Sequence, residues 1–448
     1  MRNGEPRTAC SDSERRADTV AGSGKWDRRS ALRAAAVMAG VAAAAPLLGR
    51  SATAQPGPGP DADALFKAGR FEQAGRAYEE ILKKDPTNVH AASQRGYVAL
   101  LSNRFAEAEK YLKMALGLAP GDPSANRLMA DCYLRQDKLS LSAHHLRVLG
   151  DDVDATWFEA VHGEPYQLHG DTARLPWLQM DPTPMIEASV NGGAPKRFMF
   201  YTGAPWLGLS MQVAEEAGLT AVAKQKIDYL DGYAWQYFGV LESFKLGDIE
   251  LRNIPVGWSE AETNAADPGG AHDGLIGSWV FWHLLTTFDY AGRSLILRRP
   301  TPEAIGKAPA GAEPLPLWLA GGQEMYSLGS IDGSGPRVTG LSIGGISENV
   351  AVMSVETAKQ LRIRIDYDRP LETYAHSHPT VVYPCFPDEV RLGDAAARGF
   401  YSVASPDSRP PRSGFDVPFT LFHPFYKPYN LTLDFTGMKM YVARGKAG

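Results

Sequence analysis

The chain has 448 residues, of which 44% are hydrophobic and 22% charged, enough apolar material for two or three units with cores of their own. A formal net charge of −5, with no basic stripe, excludes a nucleic-acid binder held by phosphate contacts. Cys10, Cys132 and Cys385 are too widely spaced for a metal site, and a Cys132–Cys385 disulfide stays open.

Residues 1–54 read as a leader. Arg28-Arg29-Ser30-Ala31-Leu32-Arg33 precedes a mild apolar run, Ala34 to Leu48, that ends at the small-x-small site Ala52-Thr53-Ala54. This resembles a twin-arginine export signal, with Ala31 where that signal prefers Phe; a Sec signal or an uncleaved anchor is the alternative. The run is too short and too rich in Ala and Gly for a spanning helix, so the expectation is a periplasmic or secreted protein with no stable membrane span in its mature chain. Residues 55–60, Gln-Pro-Gly-Pro-Gly-Pro, form a short stiff tether.

Over 61–150 the chain repeats itself every 34 residues: Phe71, Phe105 and Leu139 share the period, as do Ala74 and Ala108, Leu100 and Leu134, and Pro86 and Pro120. Each unit has a polar turn, an aromatic or Leu opening a helix, and a small residue where two helices must touch. These units resemble helix pairs of the tetratricopeptide type, which stack because one pair cannot bury its apolar face alone. The resemblance implies a concave face for a protein or peptide partner, with Lys83, Lys84, Arg95 and Arg104 as candidates to meet its carboxylates. A plainer alternative is that so short an array only packs on the domain that follows.

A segment rich in Trp and Pro, 151–182, reads as a linker. Beyond it the pattern changes to short strands with Gly punctuation, in two copies. Asn191–Lys196 aligns with Asp332–Arg337, and Phe200-Tyr201-Thr202-Gly203 with Leu341-Ser342-Ile343-Gly344. Ala214 aligns with Ala358, Leu246-Gly247-Asp248 with Leu392-Gly393-Asp394, Asp273 with Asp416, and Asp289 with Asp434. The expected units are lobe 1 at 183–300, an inter-lobe linker at 301–322 and lobe 2 at 323–445.

Each copy resembles one lobe of the retropepsin/pepsin-like aspartic protease family. "MIEASVNGGAPKRFMFYTGAPWLGLSMQVAEEAGL" is similar to that family's strand, turn, strand, catalytic loop and short helix, and "HDGLIGSWVFWHLLTTFDYAGRSLIL" to its later strands and helix. The resemblance implies a multi-domain α + β chain: an N-terminal α-helical array, then a mainly-β bilobal domain of two duplicated lobes with a groove between them under a hairpin flap. It also implies two catalytic aspartates sharing a proton. Tyr201 and Ser342 stand at those positions, and Ile343 replaces the second bracing Thr. A phenol and a serine hydroxyl are both neutral at pH 7, so neither activates water unaided.

Candidate replacements are few. Ser342 as a nucleophile needs a base, for which His272, His376 and His378 are available by type. Asp273 and Asp416 form a symmetry-related carboxylate pair, although Asp in turns is ordinary, as it is for Asp248, Asp394, Asp289 and Asp434. His376-x-His378 lacks a third metal ligand, and His144 and His145 point to different faces of a helix. No phosphate loop, haem motif or Cys cluster is visible, so no cofactor or metal is expected.

The remaining signal is aromatic. Trp206, Tyr229, Tyr233, Trp235, Tyr237 and Phe238 gather near the expected groove and flap, suited either to ligand recognition or to plugging the cleft. The expected groove set is therefore Tyr201, Thr202, Gly203, Trp206, Tyr233, Trp235, Tyr237, Phe238, Ser342 and Gly344. The leading expectation is a non-enzymatic protein that binds a protein or peptide partner through the array, the groove or both. The rivals are a hydrolase with unorthodox residues and a structural subunit of an envelope complex.

Overall fold

The computed structural model describes residues 61–229, 232–260, 272–307, 312–344, 348–375, 378–406 and 413–445. The leader, the tether, Cys10 and His376 lie outside them.

Six helices form the array: α1 (Ala62–Lys67), α2 (Phe71–Lys84), α3 (Val89–Leu100), α4 (Phe105–Leu118), α5 (Pro123–Leu134) and α6 (Leu139–Val148). Their starts follow local chemistry. Asn88 and Asp122 each accept from the backbone N–H three residues on, and Pro123 opens α5, where a missing N–H costs nothing. The repeated small residues Ala74 and Ala108 are fully buried at helix contacts.

The expected linker 151–182 is no mere connector. It folds into α7 (Asp152–Glu159), β1 (Gln167–His169) and β2 (Thr172–Pro176), whose strands join sheets of the following domain. Its apolar residues are the reason: Trp157 is completely buried.

Lobe 1 then runs through β3 (Met185–Val190), β4 (Lys196–Phe200), β5 (Leu207–Ser210), α8 (Met211–Glu216), β6 (Ala223–Tyr229), β7 (Gly232–Leu246), β8 (Ile249–Ser259), β9 (Gly274–Ile276), α9 (Ser278–Trp282), β10 (Leu285–Asp289) and β11 (Ser294–Arg298). The expected inter-lobe linker contains α10 (Pro302–Gly306), β12 (Leu315–Pro316) and β13 (Trp318–Ala320). Lobe 2 continues with β14 (Glu324–Ile331), β15 (Ser334–Leu341), β16 (Ala351–Ser354), α11 (Val355–Gln360), β17 (Arg364–Ile365), β18 (Leu371–Ala375), β19 (His378–Phe386), β20 (Glu389–Leu392), β21 (Ala395–Arg398), β22 (Ser402–Ser405), β23 (Phe419–Leu421), α12 (His423–Tyr426), β24 (Tyr429–Asp434) and β25 (Lys439–Arg444).

The duplication is physical as well as textual. In lobe 1, β9 runs parallel to β4 and antiparallel to β5; in lobe 2, β23 runs parallel to β15 and antiparallel to β16. Ser210 caps α8 and Ser354 caps α11 through the same side-chain bond. Gly247 and Gly393 both take positive φ in the repeated Leu-Gly-Asp turn, a region that disfavours a Cβ. Asp289 and Asp434 each accept from a backbone N–H three residues on, so these repeated carboxylates hold turns.

A six-stranded sheet, β12-β25-β24-β10-β11-β2, is shared by both lobes. At its centre β10 pairs with β24, and the hydroxyls of Thr287 and Thr432 meet at 2.8 Å in the buried seam. This sheet fixes the lobes to each other and sets where their loops meet. Cys132 and Cys385 are both free and buried.

Candidate functional site

The strands β4 and β15 each run into a short loop, and those loops meet across the pseudo-two-fold. Tyr201 donates its backbone N–H to Ile276 in β9, at 3.0 Å; Ser342 donates its own to Leu421 in β23, at 2.8 Å. Tyr201 and Gly344 form a backbone bridge between the lobes. The buried Thr202 ties the loops together: its N–H donates to the Ile343 carbonyl at 3.0 Å, and its hydroxyl accepts from the Ile343 N–H at 2.9 Å. Ile343 has no hydroxyl to return the bond, so the brace is one-sided.

The side chains between these loops are uncharged. Neither Tyr201-Thr202-Gly203-Ala204-Pro205 nor Ser342-Ile343-Gly344 contains an acid. Burial pushes the Tyr201 phenol above its ordinary range, against a smaller opposing pull from Ser342, so it stays protonated at neutral pH. The two hydroxyls adjoin, yet the Ser342 Oγ, buried at 6% exposure, has no hydrogen-bond partner of normal geometry among the described residues. The Tyr201 ring folds over Gly203: a Cβ there would lie 2.4 Å from the phenol oxygen. Gly344 takes φ +74°, and its Cβ would lie 2.1 Å from the Phe200 carbonyl oxygen.

The proposed replacement carboxylates are elsewhere. Asp273 opposes Arg197, whose backbone N–H it accepts at 2.7 Å. That is four residues back along β4 from Tyr201, about 13 Å at the rise of a strand. Asp416 lies five residues before Leu421 and donates its backbone N–H to Lys67 of the array. The pair caps the far starts of β9 and β23, so the structure does not bring it to the loops. His272 precedes Asp273 and lies farther still along the chain. The side chain of His378 lies outside the described residues, as His376 does. The carboxylate that does influence Tyr201 is Glu324, at the start of β14, which accepts from the Tyr326 phenol at 2.5 Å. No motif marked Glu324, because its approach depends on lobe packing.

The expected groove aromatics divide into two sets. Trp206 and Phe238 point away from any groove and pack with Trp157 and Trp279. Trp157 stacks between the helices and lobe 1, and its indole N–H donates to the Gly239 carbonyl at 2.9 Å. Tyr233, Trp235 and Tyr237 lie on the opposite, solvent-facing side of the β6–β7 hairpin, Tyr233 at 62% exposure. Lys226 sits 4.2 Å from the Tyr233 ring centre and Lys224 4.7 Å from that of Trp235. Tyr237 stacks on Trp258 and donates to Glu260 at 2.7 Å. Trp157, some eighty residues upstream, covers the Phe238 face of this hairpin. The side chain of Tyr229 lies outside the described residues.

The array is engaged too. Phe66 and Phe71 pack on Phe415, Phe71 on Trp318, and the Tyr97 phenol donates to the Ser413 carbonyl at 3.0 Å. Arg135 donates to the Leu319 carbonyl, whose own N–H reaches Leu101 at 3.0 Å. On the lobe 1 side, His283 meets Asp137 at 3.1 Å and Trp279 donates to Gly322 at the end of the inter-lobe segment. The array thus contacts both lobes, through the ends of α1, α3 and α5 and the turns that follow them. Three of its four candidate cations are paired internally: Arg95 with Glu79 and Glu107, Arg104 with Glu72 and Glu107, Lys83 with Glu80. Two surface clefts, of about 310 and 390 Å³, border Ala160 and Val240 and border Leu315 and Pro336; neither is lined by a residue of the two loops.

Family models match two stretches of the chain. Residues 61–123 match the family model of a tetratricopeptide repeat, and residues 186–280 that of an aspartyl protease. Among solved structures, a retropepsin-like aspartic protease from Rickettsia conorii is similar at 20% identity, over 30% of this chain and 94% of that one, with a TM-score of 0.22. No curated protein matches. The chain therefore joins a tetratricopeptide region to an aspartyl-protease-like domain. Among the described residues, no helix is long and apolar enough to cross a membrane.

Proposed function

We propose that this is a catalytically silent aspartic-protease-like protein, exported to the periplasm or beyond, whose folded body binds a protein partner. One observation carries the reading: the loops of the two lobes meet over Tyr201 and Ser342, two neutral hydroxyls, with Thr202 still bracing the junction. Aspartic-protease chemistry needs one ionised carboxylate as base and one protonated carboxyl as acid. A protonated phenol and a serine hydroxyl, both neutral, supply neither. The brace and the shared sheet serve shape, which a binding protein needs as much as an enzyme does.

Export rests on the leader alone, with its Arg28-Arg29 pair and Ala52-Thr53-Ala54 site. Since the ends of α1, α3 and α5 and the turns after them are held by the following domain, partner contact falls to the surfaces these contacts leave uncovered. A role as a subunit of an envelope complex is the same reading with a permanent partner.

The test incubates the purified protein with a periplasmic extract from pH 3 to 8 and reads, by mass spectrometry, new peptide termini and retained proteins. A retained protein with no new termini supports the proposal. New termini that disappear in Ser342→Ala or Tyr201→Phe overturn it.

A further inference from the structure

The edge of the eight-stranded sheet suggests a second use of the fold. In the order β1-β8-β5-β9-β4-β3-β7-β6, strand β6 lies last, with β7 as its one strand partner among the described residues. Its other side pairs with no strand among the described residues, α7 packing near its start, and an unpaired strand edge is a template for another strand. Ile227 is turned into the body, while Lys224, Lys226 and Asp228 alternate on the exposed face. None of these three makes an ion pair among the described residues.

We infer that β6 pairs antiparallel with β6 of a second copy of this chain, across a two-fold axis perpendicular to the sheet. The register follows from charge. With Ile227 opposite its own copy, Lys226 of each chain falls opposite Asp228 of the other, on the same outer face. Opposite charges at directly facing positions favour a pairing, and like charges oppose it. The two-fold makes the contact isologous, so one Lys–Asp arrangement serves twice. Lys226 is held by the rings of Tyr233 and Trp235, at 4.2 and 5.4 Å, which limits the freedom its ammonium loses on pairing.

The mixed signs select a copy over other occupants. Lysines on an edge strand ordinarily repel further strands. A polyanion drawn to them would meet Asp228 and Glu260 on the same face. A strand bearing both signs in reverse order satisfies both, and β6 itself is such a strand. The contact is small, so the dimer is expected to be weak and concentration-dependent.

Sedimentation velocity on the full chain over a wide concentration range tests this. Reversible dimerisation is expected for the natural sequence, weakened about tenfold or more in Lys226→Asp and in Asp228→Lys. The double variant, Lys226→Asp with Asp228→Lys, restores the pairing to within about threefold. Lys226→Gln gives a milder loss than Lys226→Asp, and circular dichroism establishes that each variant is folded. A protein monomeric at every concentration overturns the inference and leaves β6 a guarded edge. A dimer indifferent to the single swaps, or one the double swap fails to restore, overturns it as well.

Discussion

Lobe 1 and lobe 2 are copies, and the comparison between them separates backbone from side chain. The loop N–H groups of Tyr201 and Ser342 reach equivalent carbonyls, and the strands around them have the same directions. The side chains have diverged: Tyr against Ser, Thr against Ile, a phenol over Gly203 against a carbonyl over Gly344. Their surroundings differ as well, since lobe 1 meets the helices through Trp157 and lobe 2 through Phe415. Duplication preserved the hydrogen-bond ladder, which no single substitution removes, and left the side chains free to lose their first chemistry.

Breaking the attachment of lobe 1 has the largest expected effect. Trp157→Ala removes a completely buried ring and an indole bond, and should destabilise the protein by about 3–5 kcal/mol in urea unfolding. The two glycines sharpen the contrast. Gly344→Ala meets backbone at positive φ and is expected to cost about 2–4 kcal/mol. Gly203→Ala meets the far part of one side chain, so its smaller cost should largely vanish in combination with Tyr201→Ala. A double-mutant cycle measures that coupling.

The one-sided brace comes next. Thr202→Val leaves the buried Ile343 N–H without its acceptor and should cost about 1–3 kcal/mol. Ile343→Thr, which offers a returning hydroxyl, should cost less than Thr202→Val. Equal losses in urea unfolding would mean that the lobes are braced by something other than Thr202.

The smallest effect concerns pH. Asp181, just before lobe 1, faces His423 and Lys427 of lobe 2, which hold its carboxyl well below the usual carboxylate range, His423 contributing most. Burial lowers His423, offset in part by Asp181 and reinforced by Lys427. Tyr290 lies against the other ring nitrogen at 3.2 Å. A depressed carboxyl contributes stability in full above its unfolded value near 4, lost as pH falls through its folded value. A depressed histidine acts in the same direction below about pH 6.5, because the unfolded chain takes up the proton first. Thermal unfolding should therefore show stability declining as pH falls below about 6.5; Asp181→Asn should flatten the part of the decline below about pH 4 and not the histidine part above it, since losing Asp181 lowers His423 further. An unchanged slope in that variant would remove Asp181 from the account.

Much of this was readable beforehand, and the reasons are local. Ala74 and Ala108 recur because touching helices admit only small residues there, so the period was visible without coordinates. Ser210 and Ser354 before their helices, and Gly247 and Gly393 in matched turns, satisfy the nearest backbone. The loop residues Tyr201, Thr202, Gly203, Ser342 and Gly344 could be named because strand and turn chemistry bracket them. The packing of Trp206 and Phe238 on Trp157 was not legible, because nothing near them in sequence states what covers them.

Order along the chain thus dictated the helices, strands, turns and the neutral character of both loops, all of which depend on neighbours a few residues away. Folding in three dimensions settled the rest. Trp157 covered one face of a hairpin far downstream, Phe415 and Trp318 packed on the array, and Asp273 and Asp416 were carried away from the loops. The cause is common to all of them: burial and pairing are properties of surfaces brought together, and a residue's type does not say which surface will reach it.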